Sequence, residues 1–139
     1  MTVLKICIVT SKTHSEITSE MESRTIKVLK KYKDTKIYRR HVQGAFEIPY
    51  AISKLIVSKK YNGFVAIGCI IKGQTPNFDF ISFAITNAIV NLTTKYKKPI
   101  GNSILTCLDK KQALKRLNKG RDAVLAVSDA LSNGVFDAK

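Results

Sequence analysis

Four short runs rich in β-branched and apolar residues alternate along this chain with longer stretches whose apolar side chains recur at helical spacing. The runs cover residues 5–9, 35–42, 64–71 and 100–106. Strands that alternate with helices form βαβ crossovers, which keep neighbouring strands parallel and lay helices on the faces of the sheet. The pattern predicts an α/β fold: a four-stranded parallel sheet with helices on both faces.

The helical stretches differ in character. Over residues 15–33, Ile17, Met21, Val28, Leu29 and Tyr32 recur on one side. Residues 47–59 bring Ile48, Ile52, Leu55 and Ile56 together, and Tyr61-Asn62-Gly63 then marks a turn. Residues 78–96 make the longest helix, with a core stripe predicted from Ile81, Ala84, Ile85, Ala88, Ile89 and Leu92. Phe78, Phe80 and Phe83 fall off that stripe. They are too many large rings for a face left in water, and they predict a subunit interface. Asp109-x-x-Gln112 has the spacing of a capping box. Asn118-Lys119-Gly120 interrupts the pattern before a last amphipathic helix with Ala123, Val124, Ala126, Val127, Ala130 and Leu131, predicted to end at Asn133-Gly134. The run 35–42 is the most polar and belongs nearer a sheet edge.

At 139 residues and 45% hydrophobic content, the chain suits one compact domain, 1–139, with a core of fair size. No apolar run reaches the length of a membrane span, and no charged-then-apolar leader precedes the first strand. Both speak against a membrane partner. Cys7, Cys69 and Cys107 lie far apart in strand-like runs and lack metal-ligand spacing, so they read as reduced core thiols of a cytoplasmic protein with no metal expected. The net charge of +14 admits nucleic acid or an anionic metabolite as partner. The lysines, however, are scattered: Lys27, Lys30, Lys31 and Lys33, then Lys59 and Lys60, then Lys95, Lys97 and Lys98. Most fall at predicted helix ends, where they complement the dipole. Few aromatics interleave with them, so a solvated lysine-rich surface is expected and no nucleic-acid partner.

In parallel α/β sheets ligands sit beyond the carboxyl ends of the strands. That selects residues 11–14, 43–47, 72–77 and the segment after Thr106. Both histidines, His14 and His41, lie at or near those ends. The stretch 68–79 reads as a strand end, a glycine turn and a helix start, with Thr75 as N-cap and Pro76 in the first turn. Its unpaired N–H groups and its dipole suit a phosphate, although a ligand-free polar turn is the commoner use of such a segment.

These loops carry a resemblance. Gly44-Ala45-Phe46-Glu47-Ile48-Pro49 resembles the G-A-F-E-[IL]-P signature of the 6,7-dimethyl-8-ribityllumazine synthase family of riboflavin synthesis. Gly68-x-Ile70-Ile71-Lys72-Gly73-x-Thr75 is similar to its second motif, Asn118-Lys119-Gly120 to its third, and Pro99-Ile100-Gly101-Asn102 to a variant of its fourth strand. The motifs stand in the family's order over nearly the whole chain. The resemblance implies a flavodoxin-like three-layer sandwich, a homopentamer whose sites are shared between neighbours, and no cofactor. It also implies condensation of 5-amino-6-(D-ribitylamino)uracil with L-3,4-dihydroxy-2-butanone 4-phosphate, releasing phosphate and water. The steps are imine formation, phosphate elimination and ring closure. An enzyme helps such steps by positioning and by stabilising a leaving anion.

By the same resemblance, Gln74 and Thr75 hold the butanone phosphate, and Arg116 clamps it as a planar fork. Ala45, Phe46 and Glu47 line the ribityl and pyrimidine pocket, with Glu47 accepting from ribityl hydroxyls. Without the family, Glu47 is a first-turn acid complementing its helix dipole, and Arg116 is a solvated arginine late in a helix. Cys69, Ile70 and Ile71 offer main-chain groups to the pyrimidine edge, or are simply core. Lys119 lies near the substrate, or is a surface lysine. Asn102 falls where a neighbouring subunit completes the pocket.

Two positions depart from the family pattern. Its proton-transfer histidine, two residues after Thr75, is Asn77 here. An amide takes no proton near neutral pH, so general acid–base help worth roughly 10²–10⁴-fold cannot come from that side chain. The aromatic residue that usually stacks on the pyrimidine aligns with Thr13, while His14 beside it could supply a ring or a proton. Three readings follow, in order. The first is an active synthase that relies on positioning, Arg116 and the substrate's own phosphate as proton acceptor. The second is a catalytically impaired member that binds lumazine or flavin ligands without turnover, and the third a basic nucleic-acid-binding domain. The short turn in which Leu117 runs into Asn118, and the brief segment before the first strand, favour a pentamer or a decamer over an icosahedral shell. Whether riboflavin synthase, the next enzyme of the pathway, associates with it stays open.

Overall fold

A computed structural model describes residues 3–32 and 34–132. Its strands are β1 (Leu4–Ser11), β2 (Thr35–Val42), β3 (Gly63–Ile71) and β4 (Ile100–Cys107). Its helices are α1 (Ser15–Leu29), α2 (Ile48–Ile56), α3 (Asn77–Tyr96), α4 (Lys110–Leu114) and α5 (Lys119–Ser132), and a 3-10 turn at Ala45–Glu47 leads into α2. The strands pair in parallel in the order β2-β1-β3-β4. This is the flavodoxin-like arrangement, in which the strand order reverses between β1 and β3.

Side chains alternate across each strand and so feed two cores. On one face Ile6, Ile8, Val65, Ile67 and Leu105 meet Ile17, Met21 and Leu29 of α1 and Val124 and Val127 of α5. On the other, Cys7, Val9, Phe64, Ala66 and Ile104 meet Ile48, Ile52 and Ile56 of α2 and Ile85 and Ile89 of α3. β3 has a strand on each side and a helical layer on each face, which is why it reads as an unbroken apolar run. β2, an edge strand as expected, is only half-buried or exposed along its length.

Several boundaries differ from the sequence pattern for local reasons. α1 ends at Leu29, before the predicted residue 33. Asp34 takes a left-handed φ of 63° and its carbonyl accepts from Leu4 at 2.7 Å, which turns the chain into β2; Lys33 itself lies outside the described residues. α2 starts at Ile48 and ends at Ile56, short of residue 59. There Lys98 Nζ donates to the carbonyls of Ile56 at 2.9 Å and Ser58 at 2.6 Å, supplying partners the helix end would otherwise lack. Burial also lowers the Lys98 pKa.

The predicted stripe of α3 is wider than the observed one. Ile85 and Ile89 are buried, Ala88 and Leu92 are half-buried, Ala84 is exposed and Ile81 is 36% exposed. α3 packs beside α2 and over β4, the edge strand, so only a narrow strip of it meets this chain's own core. The Asn118-Lys119-Gly120 stretch also differs from expectation, since Lys119 opens α5 and Gly120 lies buried in its first turn. A Cβ at Gly120 would overlap Thr25 Oγ1 of α1, and one at Gly101 would stand 2.6 Å from Ala123 O. Glycine at these two positions lets α5 lie against α1 and the sheet. The predicted helix end at Asn133-Gly134 lies outside the described residues. The capping box is half as drawn. Asp109 Oδ1 accepts from Gln112 N–H at 2.9 Å, but Gln112 Oε1 accepts from Leu108 N–H, one residue upstream, at 2.8 Å. Among the described residues no helix is long and apolar enough to cross a membrane.

Candidate functional site

The carboxyl ends of β1, β2 and β3 surround the point where the strand order reverses. There the loop after β1 runs beside the loop after β2. Lys12 N–H donates to Val42 O at 2.8 Å, Thr13 N–H to Gln43 O at 3.0 Å, and Thr13 Oγ1 to the same carbonyl at 2.9 Å. Gly44 follows in extended conformation, and its N–H donates to Glu47 Oε1 at 2.9 Å. Gly44 has no side chain with which to complete a capping box, so the carboxylate and the Glu47 N–H, which donates to Gly44 O at 3.1 Å, hold this turn. Glu47 is exposed, and its second oxygen can accept from a ligand.

The turn rests on β3. A Cβ at Gly68 would come within 3.2 Å of Ile48 Cδ1, 3.3 Å of Ala45 Cβ and 3.4 Å of Ser11 Oγ, so a larger residue would lift Ala45 off the sheet. Phe46 points outward, 65% exposed, and its ring belongs to no core of this chain. At the end of β3, Cys69 is buried while Ile70 and Ile71 are half-buried. Burial pushes the Cys69 thiol up to about 11, with Cys107 nearby adding to the rise. Lys72 N–H donates to Cys107 O at 2.9 Å and steers the chain over β4.

Beyond Lys72 the residues from Gly73 to Asn77 are all exposed, and Gly73 borders open space. α3 begins at Asn77, one residue before the predicted 78–96 stretch, with Pro76 at its N-cap rather than inside its first turn. The capping bond nonetheless comes from Thr75, whose Oγ1 accepts from Asn77 N–H at 3.4 Å. Asn77 therefore sits in the first turn of the helix, beside Gln74 and Thr75, at the mouth of the crevice.

The two histidines part company. His41 Nε2 lies 3.0 Å from Glu22 Oε1, and Glu22 also accepts from Thr10 Oγ1 at 3.0 Å and from Arg39 Nη2 at 3.2 Å. Glu22 is buried, and a buried carboxylate needs such partners. The cluster turns His41 toward α1, away from the Ala45–Glu47 turn. His14 has a left-handed φ of 57°, and its carbonyl closes the first turn of α1 by accepting from Ile17 and Thr18 at 2.9 and 3.0 Å. Its neighbour Glu16 is held below the usual carboxylate range by its own backbone N–H and by Lys110. The sequence reasoning included Ser11 in the 11–14 loop but gave its side chain no role. Its hydroxyl is buried at the end of β1 with no partner among the described residues, between Gly68 and the turn. The signal was there: a polar residue closing an apolar strand.

Arg116, Lys119 and Asn102 lie elsewhere. Arg116 follows α4 and donates from Nη1 to Gln112 O at 2.9 Å. With Lys115, Asn118, Lys119, Arg121 and Asp122 it rims an open groove of about 430 Å³. Ala113 and Leu117, just before and after Arg116, pack into the α1/α5 core, whereas Ala45 and Ile48 pack into the α2/α3 core. Within one chain the sheet thus separates Arg116 and Lys119 from Ala45, Phe46 and Glu47. Asn102 is exposed on β4, with Oδ1 accepting from Ile104 N–H at 3.0 Å. Among the described residues no cluster of histidine, cysteine or carboxylate side chains could hold a metal ion.

The sequence profile of the 6,7-dimethyl-8-ribityllumazine synthase family matches residues 3–133. The chain belongs to that family. The 6,7-dimethyl-8-ribityllumazine synthase of Bdellovibrio bacteriovorus is 36% identical over 125 residues, which are 86% of this chain and 69% of the relative. That of Helicobacter pylori is 33% identical over 135 residues, 92% of this chain and 86% of the relative. That of Nitratiruptor is 39% identical over 95 residues, and there the match spans only 62% of the relative's length. In this lumazine synthase family member, the Gly44–Pro49 motif is the turn resting on Gly68, the Gly68–Thr75 motif is the end of β3 with its loop, and Asn118-Lys119-Gly120 opens α5 against Thr25.

Proposed function

We propose that this chain is a 6,7-dimethyl-8-ribityllumazine synthase of riboflavin biosynthesis. It condenses 5-amino-6-(D-ribitylamino)uracil with L-3,4-dihydroxy-2-butanone 4-phosphate and releases phosphate and water. The observation that supports this best is the meeting of the Gly44–Glu47 turn and the exposed β3–α3 loop where the strand order reverses. Glu47, held through one oxygen by Gly44, accepts from ribityl hydroxyls with the other. Thr13, Ala45 and Phe46 flank the pyrimidine, and the ring of Phe46 supplies the apolar face that Thr13 lacks. The main chain of Cys69, Ile70 and Ile71 reads the pyrimidine edge. Gln74 and Thr75 receive the phosphate at the start of α3, where N–H groups and the helix dipole favour an anion.

Chemistry on this site is mainly positioning. The pyrimidine amine attacks the butanone carbonyl and a first water leaves. The C–O bond to phosphate breaks, and the enol left behind becomes a carbonyl. The ribitylamino nitrogen attacks that carbonyl, and a second water leaves as the ring closes. Asn77 donates a hydrogen bond but transfers no proton, so the departing phosphate dianion accepts the proton released beside it. His14 is the nearest imidazole not engaged by a carboxylate hydrogen bond.

The sheet that divides Arg116 and Lys119 from Glu47 supports a site completed by a second copy of the chain, to which Asn102 on the edge strand β4 is open. The exposed Phe80 and Phe83 on α3 and the free edge at β4 supply the surface, and a homopentamer is the assembly we propose. The three reduced, buried thiols fit the cytoplasm. Mixing the purified protein with both substrates should yield lumazine fluorescence far faster than the spontaneous reaction. Glu47→Gln should raise KM for the ribityl substrate about tenfold, the scale of one hydrogen bond to a charged acceptor. Product formed only at the spontaneous rate would leave a lumazine-binding protein in place of an enzyme.

A further inference from the structure

Several cations among the described residues have a carboxylate, a ring or a pair of carbonyls to hold, whereas in the groove after α4 only Arg116 has a partner, the Gln112 carbonyl. Arg24 pairs with Glu20, Arg39 with Glu22 and Lys110 with Glu16. Lys98 donates to two carbonyls, Lys36 and Lys60 stand over the ring of Tyr38, and Lys54 stands over Tyr50. The groove after α4 is different. Lys115, Arg116, Lys119 and Arg121 surround it with one acid, Asp122. All four cations are exposed, and among the described residues none is paired with a carboxylate.

Four positive charges around one concavity repel one another, and their field concentrates anions in it. The field is felt inside the protein: Arg116 and Lys119 pull the buried Cys107 thiol down, against a larger rise from burial. A groove of about 430 Å³ is roomy for a four-carbon phosphate ester and far too small for a folded partner. We propose that this groove is the intake for the phosphorylated substrate, in which Lys115 and Arg121 capture and orient the phosphate that Arg116 and Lys119 then hold. The inference rests on the function proposed above and adds two residues to it. Lys115 and Arg121 act through the field, without touching the reacting atoms.

The test compares two charge-matched double variants, Lys115→Gln/Arg121→Gln and Lys59→Gln/Lys97→Gln. The second removes the same charge from exposed positions on the α2/α3 side of the molecule. At low ionic strength the groove variant should raise KM for the butanone phosphate, and the inhibition constant of inorganic phosphate, about fourfold, roughly twofold per charge removed within a Debye length. Turnover number and KM for the uncharged ribityl substrate should not move. The difference should vanish near 1 M salt, where the Debye length is about 3 Å. Equal shifts in both variants would reduce the effect to net charge and overturn the assignment. No shift, or loss only of binding to an RNA oligonucleotide, would overturn it too. Calorimetry with inorganic phosphate on the wild type and the groove variant separates the two failures. Phosphate binding that depends on the groove, in a protein without turnover, would uphold the groove and sink the synthase reading alone.

Discussion

The two faces of the sheet are finished to different degrees. On the α1/α5 side the chain closes its own core: Ile17, Met21, Val124 and Val127 are buried, Gly120 admits Thr25, and Glu22 draws Thr10, Arg39 and His41 into one polar cluster. On the α2/α3 side a helix of 20 residues buries only Ile85 and Ile89. Phe80 and Phe83 there remain 68% and 74% exposed, with Phe46 and Tyr50 on the neighbouring turn and helix also out in solvent. The difference teaches where the chain ends as a self-sufficient fold and where it is built for company. The open face also holds the Ala45–Glu47 turn, so under the function proposed above catalysis and assembly would draw on one surface.

The sharpest way to break this comparison is to charge the open face. Phe83→Glu puts a carboxylate at the most exposed ring, where a buried aromatic contact with a neighbouring copy is expected. Association should weaken by roughly 100-fold or more, as for a central interface aromatic, and turnover should fall with it. Because Phe83 reaches no core of its own chain, circular dichroism and the unfolding midpoint of the isolated chain should change little. Sedimentation analysis decides: a variant of undiminished size would mean that the open face is not an interface.

The closed face should fail differently. Gly120→Ala drives a methyl group into Thr25 between α1 and α5, and overpacking of this kind typically costs about 1–3 kcal/mol. We expect a loss near ~3 kcal/mol in denaturant unfolding, with assembly and KM values intact at low temperature. Gly101→Ala, aimed at the Ala123 carbonyl, should behave alike. Loss of assembly before loss of stability would reverse the roles assigned to the two faces.

Much of this contrast was legible in the sequence. The apolar runs reported every strand, and the polar 35–42 run reported the edge. Of the three phenylalanines off the α3 stripe, Phe80 and Phe83 reported the open face, while Phe78 is half-buried. What escaped was set by partners distant in sequence. α2 stops at Ile56 because Lys98, 42 positions on, caps its carbonyls, and no local pattern carries that. Gly120 looked like a helix breaker, since the sequence does not say that Thr25 needs the space. For the site, the motifs drew attention to the loops on which the proposed function rests. Periodicity could not reveal that His41 is claimed by Glu22, or that Ser11 carries a buried hydroxyl without a partner. Nor could it reveal that the sheet stands between Arg116 and Glu47.

A finer comparison uses one thiol from each face. Burial lifts Cys7, on the α2/α3 side, and Cys69, on the α1/α5 side, from 9.0 to about 11, with Arg40 and Lys60 opposing the rise at Cys7. In the unfolded chain these thiols ionise near pH 9, while in the native state they keep their protons. Above that pH the unfolded state binds fewer protons, so stability present in full below pH 9 is lost as pH rises toward 11. Two pK units set the upper bound, and water penetration lowers it to about 1–2 kcal/mol per thiol. Unfolding midpoints from pH 8 to 11 for Cys7→Ala and Cys69→Ala should each lose part of that slope. Equal losses would mean the sheet is as dry beneath the open face as beneath the closed one; a slope confined to Cys69 would mean that water reaches the open core.

The smallest effect is expected at the mouth of the crevice on the open face. Asn77 occupies the first turn of α3, exposed, its backbone capped by Thr75, so a histidine fits there without disturbing any core. General acid–base help can reach roughly 10²–10⁴-fold where a proton transfer limits the rate. Under the proposed mechanism the leaving phosphate takes the proton, so Asn77→His should leave the turnover number unchanged or raise it by less than about tenfold. A large gain would show that proton transfer limits the natural protein. A loss, with substrate affinities and assembly intact, would mean that the Asn77 amide makes a hydrogen bond the imidazole cannot, and the positioning account of this site would have to be rebuilt around that amide.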